Sequence, residues 1–132
     1  MKTISCLLLA ASLSACGTAS SPSSQAAPPA PDAAARSGAL VASAQVRRQS
    51  RADDVLFRDL LRRPGGVGFA DKVFFANATT RTLLRIEVVR PYDGRSIGEE
   101  RWVVGHDDGG ETTYVVSLIP SPRGGTDFTV AR

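Results

Sequence analysis

The stretch Val103-Val104-Gly105-His106-Asp107-Asp108-Gly109-Gly110-Glu111 holds the densest gathering of reactive side chain types: the sole histidine, two adjacent aspartates and a glutamate. Asp107, Asp108 and Glu111 could supply oxygens to a hard cation such as Ca²⁺, which takes several of them. The adjacent aspartates, however, project in divergent directions, and their spacing departs from the Asp-x-Asn/Asp-x-Asp-Gly calcium loop. One histidine without cysteines is a poor transition-metal set. The same residues suit a hairpin turn, with glycine where the backbone needs positive φ and aspartate where turns favour it. Other catalytic arrangements are missing. Ser96, Ser117 and Ser121 lie outside any Gly-x-Ser-x-Gly elbow. Glu99 and Glu100 adjoin in an expected strand and face opposite ways, unlike a carboxylate pair across a cleft. Gly65-Gly66-Val67-Gly68 leaves a helix and does not cradle phosphate on entering one. The expectation is a protein that is not an enzyme. Trp102 and Tyr114 are a candidate aromatic binding face, although a lone tryptophan also suits a core or its rim.

The cysteines carry different chemistry. Cys6 and Cys16 are the only two. Met1-Lys2-Thr3 supplies a positive start, and Ile4 to Ala15 is uncharged and mostly apolar. That core is too short for a spanning helix, which needs roughly 20 residues, and has the form of a secretory signal peptide. Leu13-Ser14-Ala15-Cys16 then places an aliphatic residue and two small residues before a cysteine. This resembles the lipobox of bacterial lipoproteins. The resemblance implies that residues 1–15 are removed and that Cys16 carries a covalent diacylglycerol and an N-acyl chain, with no other cofactor. More than one acyl chain makes such an anchor durable. Gly17, where an aspartate would favour inner-membrane retention, points to the outer membrane facing the periplasm. Cys6 would leave with the signal peptide and the lipid would occupy Cys16, so neither a disulfide nor a thiolate catalyst is expected.

The charge balance excludes another class. There are 16 Lys+Arg against 13 Asp+Glu, a net of +3. Loss of Lys2 with the signal peptide leaves +2, too little for a nucleic-acid footprint. Residues 17–38 are Gly, Thr, Ala, Ser, Pro and Gln apart from Asp32 and Arg36, and residues 16–49 predict a lipid-anchored disordered tether with polyproline II character, holding the C-terminal domain tens of ångströms from the bilayer. Its last part, with Ala39-Leu40-Val41-Ala42, is apolar enough to dock on the domain.

Residues 50–63 predict a helix. Ser50 and Asp53 fit a capping box. Leu56, Phe57, Leu60 and Leu61 share one arc, and Pro64-Gly65-Gly66 ends it. From Asp71 onward the period is two. Strands are expected at Val73–Ala76, at Thr82–Arg90 with Leu84, Ile86 and Val88 on one face, at Glu99–Gly105 with Trp102 and Val104 inward, at Glu111–Ile119 with Tyr114, Val116 and Leu118, and at Asp127–Ala131 with Phe128 and Val130. The fold class is therefore mainly β with one N-terminal helix, a small antiparallel β-sandwich or part-barrel of about five strands over residues 50–132. So small a domain, without a disulfide, gains from docking on a partner or on itself.

These features suggest a membrane-anchored envelope lipoprotein, a non-enzymatic accessory or assembly component of an envelope protein complex. It would act through an edge strand or the helix, with Leu56, Leu60 and Trp102 as candidate partner contacts. Two alternatives stand beside it: a ligand- or Ca²⁺-binding module using Asp107, Asp108 and Glu111, and an inhibitor of an envelope hydrolase using Arg123 in the Pro120–Gly125 loop.

Overall fold

The computed structural model describes residues 38–132. The signal-like segment and Cys16 lie outside them. Five strands form one mixed sheet, a half-barrel, in the order β1-β2-β3-β4-β5. They are β1 (Leu40–Ala42), β2 (Arg81–Arg90), β3 (Gly98–His106), β4 (Glu111–Pro120) and β5 (Thr126–Ala131). Between β1 and β2 run three helices, α1 (Ala44–Arg47), α2 (Asp54–Arg62) and α3 (Val67–Phe74). Strands β2 to β5 are an antiparallel meander, whereas β1 lies parallel to β2. A parallel neighbour needs a long crossover, and the helices are that crossover. They also cover one face of the sheet. Val46, Leu56, Phe57, Leu60 and Val67 from the helical side pack with Leu83, Ile86, Trp102, Val104, Tyr114, Val116 and Leu118 from the sheet.

Several expectations are corrected here. The core is closed by helices and not by a second sheet, so the described residues do not form a sandwich. Three helices stand where one was expected. Strand β1 lies within the segment assigned to the tether. Its short apolar run gains pairing with Arg81–Leu83 that no local pattern announces. Val73 and Phe74 end α3, and Val73–Ala76 is not a strand. An apolar run this short suits either element, and the close approach of α3 to α2 selects the helix. Asp53, not Ser50, caps α2: its carboxylate accepts from the Leu56 N–H at 2.8 Å. Ser50 is drawn away into the core, where its Oγ donates to Glu100.

Strand β2 shows why a two-residue period misassigns a face. Register shifts fall between Leu83 and Arg85 and again between Val88 and Arg90. The bulge at Leu84 turns that side chain outward while Leu83 and Ile86 both face the core. The outer face carries ordinary cross-strand ion pairs, Arg85–Glu111 at 3.5 Å and Arg101–Glu87 at 3.8 Å.

The α2–α3 junction depends on glycine. A Cβ on Gly68 would collide with the Leu61 carbonyl oxygen and press on the Leu40 Cβ at 3.2 Å. Backbone cannot yield as a flexible side chain can. Gly68→Ala should therefore push the helices apart and lower stability by about 2–3 kcal/mol. A urea titration followed by far-UV circular dichroism checks this: an unchanged midpoint would show that the junction is loose.

The two sheet edges differ. Beyond Ala42 the edge of β2 is partly covered, because the Gln49 side-chain oxygen accepts from the Ile86 N–H at 2.9 Å. The outer edge of β5 has no strand beside it among the described residues.

Candidate functional site

Two buried carboxylates organise the polar interior. The first is Asp71 on α3, fully buried. Its Oδ1 accepts from the Tyr114 hydroxyl at 2.8 Å, and His106 Nε2 sits 3.0 Å from Oδ1 and 3.1 Å from Oδ2. A carboxylate only accepts, so Nε2 carries the proton. Arg81, 2 % exposed, places Nε 3.1 Å from Asp71 Oδ2. That N–H is not aimed at the oxygen and makes no hydrogen bond, so this contact is an attraction of charges. The guanidinium directs its other nitrogens elsewhere: Nη1 donates to the Gly38 carbonyl at 2.8 Å and Nη2 to the Phe75 carbonyl. The cluster thus ties together Gly38, the end of α3 and strands β2, β3 and β4. Phe75 covers the His106 ring at 4.4 Å between centroids.

Burial, then the hydrogen bond and charge of Asp71, hold the Tyr114 phenol well above its ordinary pKa. The folded state therefore prefers the protonated phenol. Its contribution is complete below the unfolded tyrosine value near 10 and is lost as pH rises above it. Stability should fall by about 1.4 kcal/mol per pH unit above about 10 from this group alone. Tyr114→Phe should flatten that alkaline slope while lowering stability at neutral pH by about 1.5–2 kcal/mol. Thermal melts of both proteins at neutral pH and at about pH 11 provide the comparison; an unaltered slope in the variant would separate Tyr114 from it.

The second carboxylate is Glu100 on β3, also buried. Oε2 accepts from Ser50 Oγ and Trp102 Nε1, each at 2.9 Å, and Oε1 accepts from the Arg51 N–H at 2.6 Å. It fixes the α1–α2 connection against the middle of the sheet.

The expected site residues fall elsewhere. Leu56, Leu60 and Trp102 are core residues; Trp102 packs on Phe57 at 5.1 Å between centroids. Leu60 and Trp102 are fully enclosed, because the α2 arc faces the sheet, and Leu56 reaches the surface only at the wall of a groove beside β5. Asp107, Asp108 and Glu111 do not converge. Asp107 Oδ2 accepts from the Thr79 hydroxyl at 2.6 Å and from its N–H at 3.3 Å. These contacts hold its pKa below the usual value, the hydroxyl contributing most. Asp108 Oδ1 accepts from the Gly110 N–H at 2.8 Å, and Glu111 faces Arg85. His106 N–H to Gly110 C=O at 2.9 Å closes the loop as a hairpin turn, with Gly109 at φ 80°. The Pro120–Gly125 loop is likewise a tight turn, closed by Ser121 N–H to Gly125 C=O at 3.1 Å; Arg123 sits in that turn.

Two grooves of similar size have room for a ligand, one of about 390 Å³ by Phe74, Phe75 and His106 and one beside β5. The second, of about 420 Å³, is lined by Leu56, Asp59, Arg63, Pro64 and Gly65 on one wall and Thr126, Asp127 and Phe128 on the other. Glu100 and His106 could have been suspected from the sequence, whereas Asp71 on α3 carries no such signal. Glu100 and His106 share the parity of Trp102 and Val104 along β3, so both fall in its inward row.

The fold and site define a small, mainly β domain with buried polar ties and an open edge strand. No protein-family model, curated protein or solved structure matches the chain. Among the described residues, no helix is long and apolar enough to cross a membrane.

Proposed function

We propose that this chain is an exported lipoprotein, anchored through acyl chains on Cys16 to the outer membrane facing the periplasm. In this reading it is a non-enzymatic accessory component of an envelope protein complex. Its working surface is the free edge of β5, which receives an extended segment of the partner as an added strand. The observation that carries the proposal is that edge together with its groove. Natural sheets usually blunt an exposed edge, as Gln49 does at β2. Here β5 stays open along Thr126–Ala131, beside a cavity that could seat the inward side chains of an incoming strand. Backbone hydrogen bonds would supply affinity and the groove selectivity. The buried cluster supports the non-enzymatic part: the Asp71 and Tyr114 side chains are inaccessible and His106 is covered by Phe75, whereas a catalytic base must reach its substrate.

The test uses the full chain in its native envelope, with a photo-crosslinking residue placed at exposed Thr129 or, separately, at exposed Arg58 on α2. A discrete adduct from position 129 and none from position 58 is expected. Adducts from position 58 alone, or from neither, reject the edge. Incorporation of labelled palmitate that Cys16→Ser abolishes is expected for the anchor; its absence rejects the lipoprotein reading.

A further inference from the structure

We propose that the exposed face of α3 contacts the bilayer itself. Phe69 and Val73 enter the lipid interface, and Arg62 and Lys72 meet anionic headgroups. The proposal rests on the lipid-anchor reading. Phe69 and Val73 are 47 % and 61 % exposed, although α3 buries Val67, Gly68 and Asp71 on its other side. Spaced i and i+4, they are neighbours on one helix face and not scattered surface hydrophobes.

Charge sets the chemistry of the occupant. A groove of about 220 Å³ beside Phe69 is lined by Leu61, Arg62, Gly68 and Lys72, together with Gly38 and Ala39. No carboxylate lines it, and neither Arg62 nor Lys72 makes an ion pair among the described residues. On the far side of α3 the groove by Phe74 and Phe75 is bordered by Asp107 and Asp108. An anionic surface would attract the first flank and repel the second, which fixes how the domain lies.

The path of the chain agrees. Arg81 holds the Gly38 carbonyl at 2.8 Å, and Gly38 lines the same groove as Phe69 and Lys72. The segment leading back to Cys16 therefore leaves the domain at this face. The 21 intervening residues can span at most about 75 Å, so the lipidated end and the apolar face can meet one bilayer. Size also favours lipid over a second protein. A stable protein interface covers roughly 800 Å² per partner, beyond what two side chains on a two-turn helix provide. A weak bilayer contact suffices when a covalent anchor already holds the domain at the surface.

The test uses the mature-length chain, residues 16–132, with Cys16→Ser so that no acyl chain contributes. Cosedimentation is measured with vesicles of phosphatidylcholine alone or mixed with phosphatidylglycerol. Binding to the anionic vesicles, weaker binding to the neutral ones and loss at high salt are expected. Val73→Asp should reduce anionic-vesicle binding about tenfold and Lys72→Glu about fivefold. Near-UV circular dichroism confirms that each stays folded; Lys72→Glu, at an exposed position, carries the test if Val73→Asp does not fold. Absence of binding to either vesicle, or binding that ignores both substitutions, overturns the proposal. So does lipid-free self-association that Val73→Asp abolishes, which would make this face a contact between copies. Because this chain is unlipidated, its vesicle binding and palmitate labelling of Cys16 succeed or fail separately.

Discussion

Asp71→Ala should be among the most destabilising single substitutions in the domain. Arg81 is 2 % exposed and Asp71 is its only ion-pair partner among the described residues. Removing one member of a buried pair strands the other charge, at about 3–5 kcal/mol. A folded unit of 95 described residues has roughly 5–14 kcal/mol in total, so the loss is a large fraction of it. The melting temperature should fall by roughly 15–30 °C. Asp71→Asn keeps the shape and one acceptor oxygen, so Tyr114 can still donate. Its amide NH₂ then opposes the His106 or Arg81 donors, and an intermediate loss of about 2 kcal/mol is expected. The pair Asp71→Leu with Arg81→Met separates charge from connectivity. Removing both charges avoids the stranded guanidinium, but the Gly38 and Phe75 carbonyls lose their donors. The double variant should therefore fall between wild type and Asp71→Ala. Thermal melts of all four proteins decide it. If Asp71→Ala matches wild type, Arg81 is solvated and the cluster is not a keystone of the fold.

The range of the forces involved decides how much of the fold is legible in the sequence. The strands of the meander from Arg81 onward show themselves because alternation and turn chemistry are local. Trp102, Val104, Tyr114, Val116 and Leu118 face inward as their parity requires. A single inserted residue at Leu84 reverses that parity, and nothing around it distinguishes a bulge from an unbroken strand. Strand β1 has three residues and exists only through pairing with β2, some 40 positions away. Helix α3 depends on backbone approach at Gly68 to α2, which no propensity encodes. The two carboxylates join residues 35 to 50 positions apart in the chain. A polar residue in an inward row is visible in sequence; its partner is not. The candidate site was misplaced for the same reason. The acidic loop at 107–111 looked dense because its residues adjoin, yet each turns to a separate partner, Asp107 and Glu111 to residues on or before β2, while the α2 stripe of Leu56 and Leu60 belongs to the core.

Glu100→Ala should rival the loss at Asp71 by a different route. Among the described residues Glu100 has no ion pair; hydrogen-bond donors alone hold it. Truncation leaves the Trp102 Nε1–H without an acceptor in a closed interior and the part-buried Arg51 N–H without its partner. It also releases Ser50, whose Oγ in turn accepts from the Ala52 N–H at 3.1 Å. Orphaned buried donors count about 1–3 kcal/mol each, and the vacated volume adds to them, so a total of about 3–5 kcal/mol is expected. Glu100→Gln retains one acceptor oxygen but turns an NH₂ towards the donors, for a loss of about 1–3 kcal/mol. Trp102→Phe removes one donor while keeping a ring against Phe57. If the carboxylate–indole bond is a stabilising link, Glu100→Gln and Trp102→Phe should be non-additive, with a coupling of about 1–2 kcal/mol. Trp102 is the only tryptophan, so indole fluorescence reads this corner directly where the residue is retained, and circular dichroism reads the rest. Losses that simply add would show that Glu100 and Trp102 act independently. The tie between the α1–α2 connection and β3 would then rest on Ser50 and Arg51.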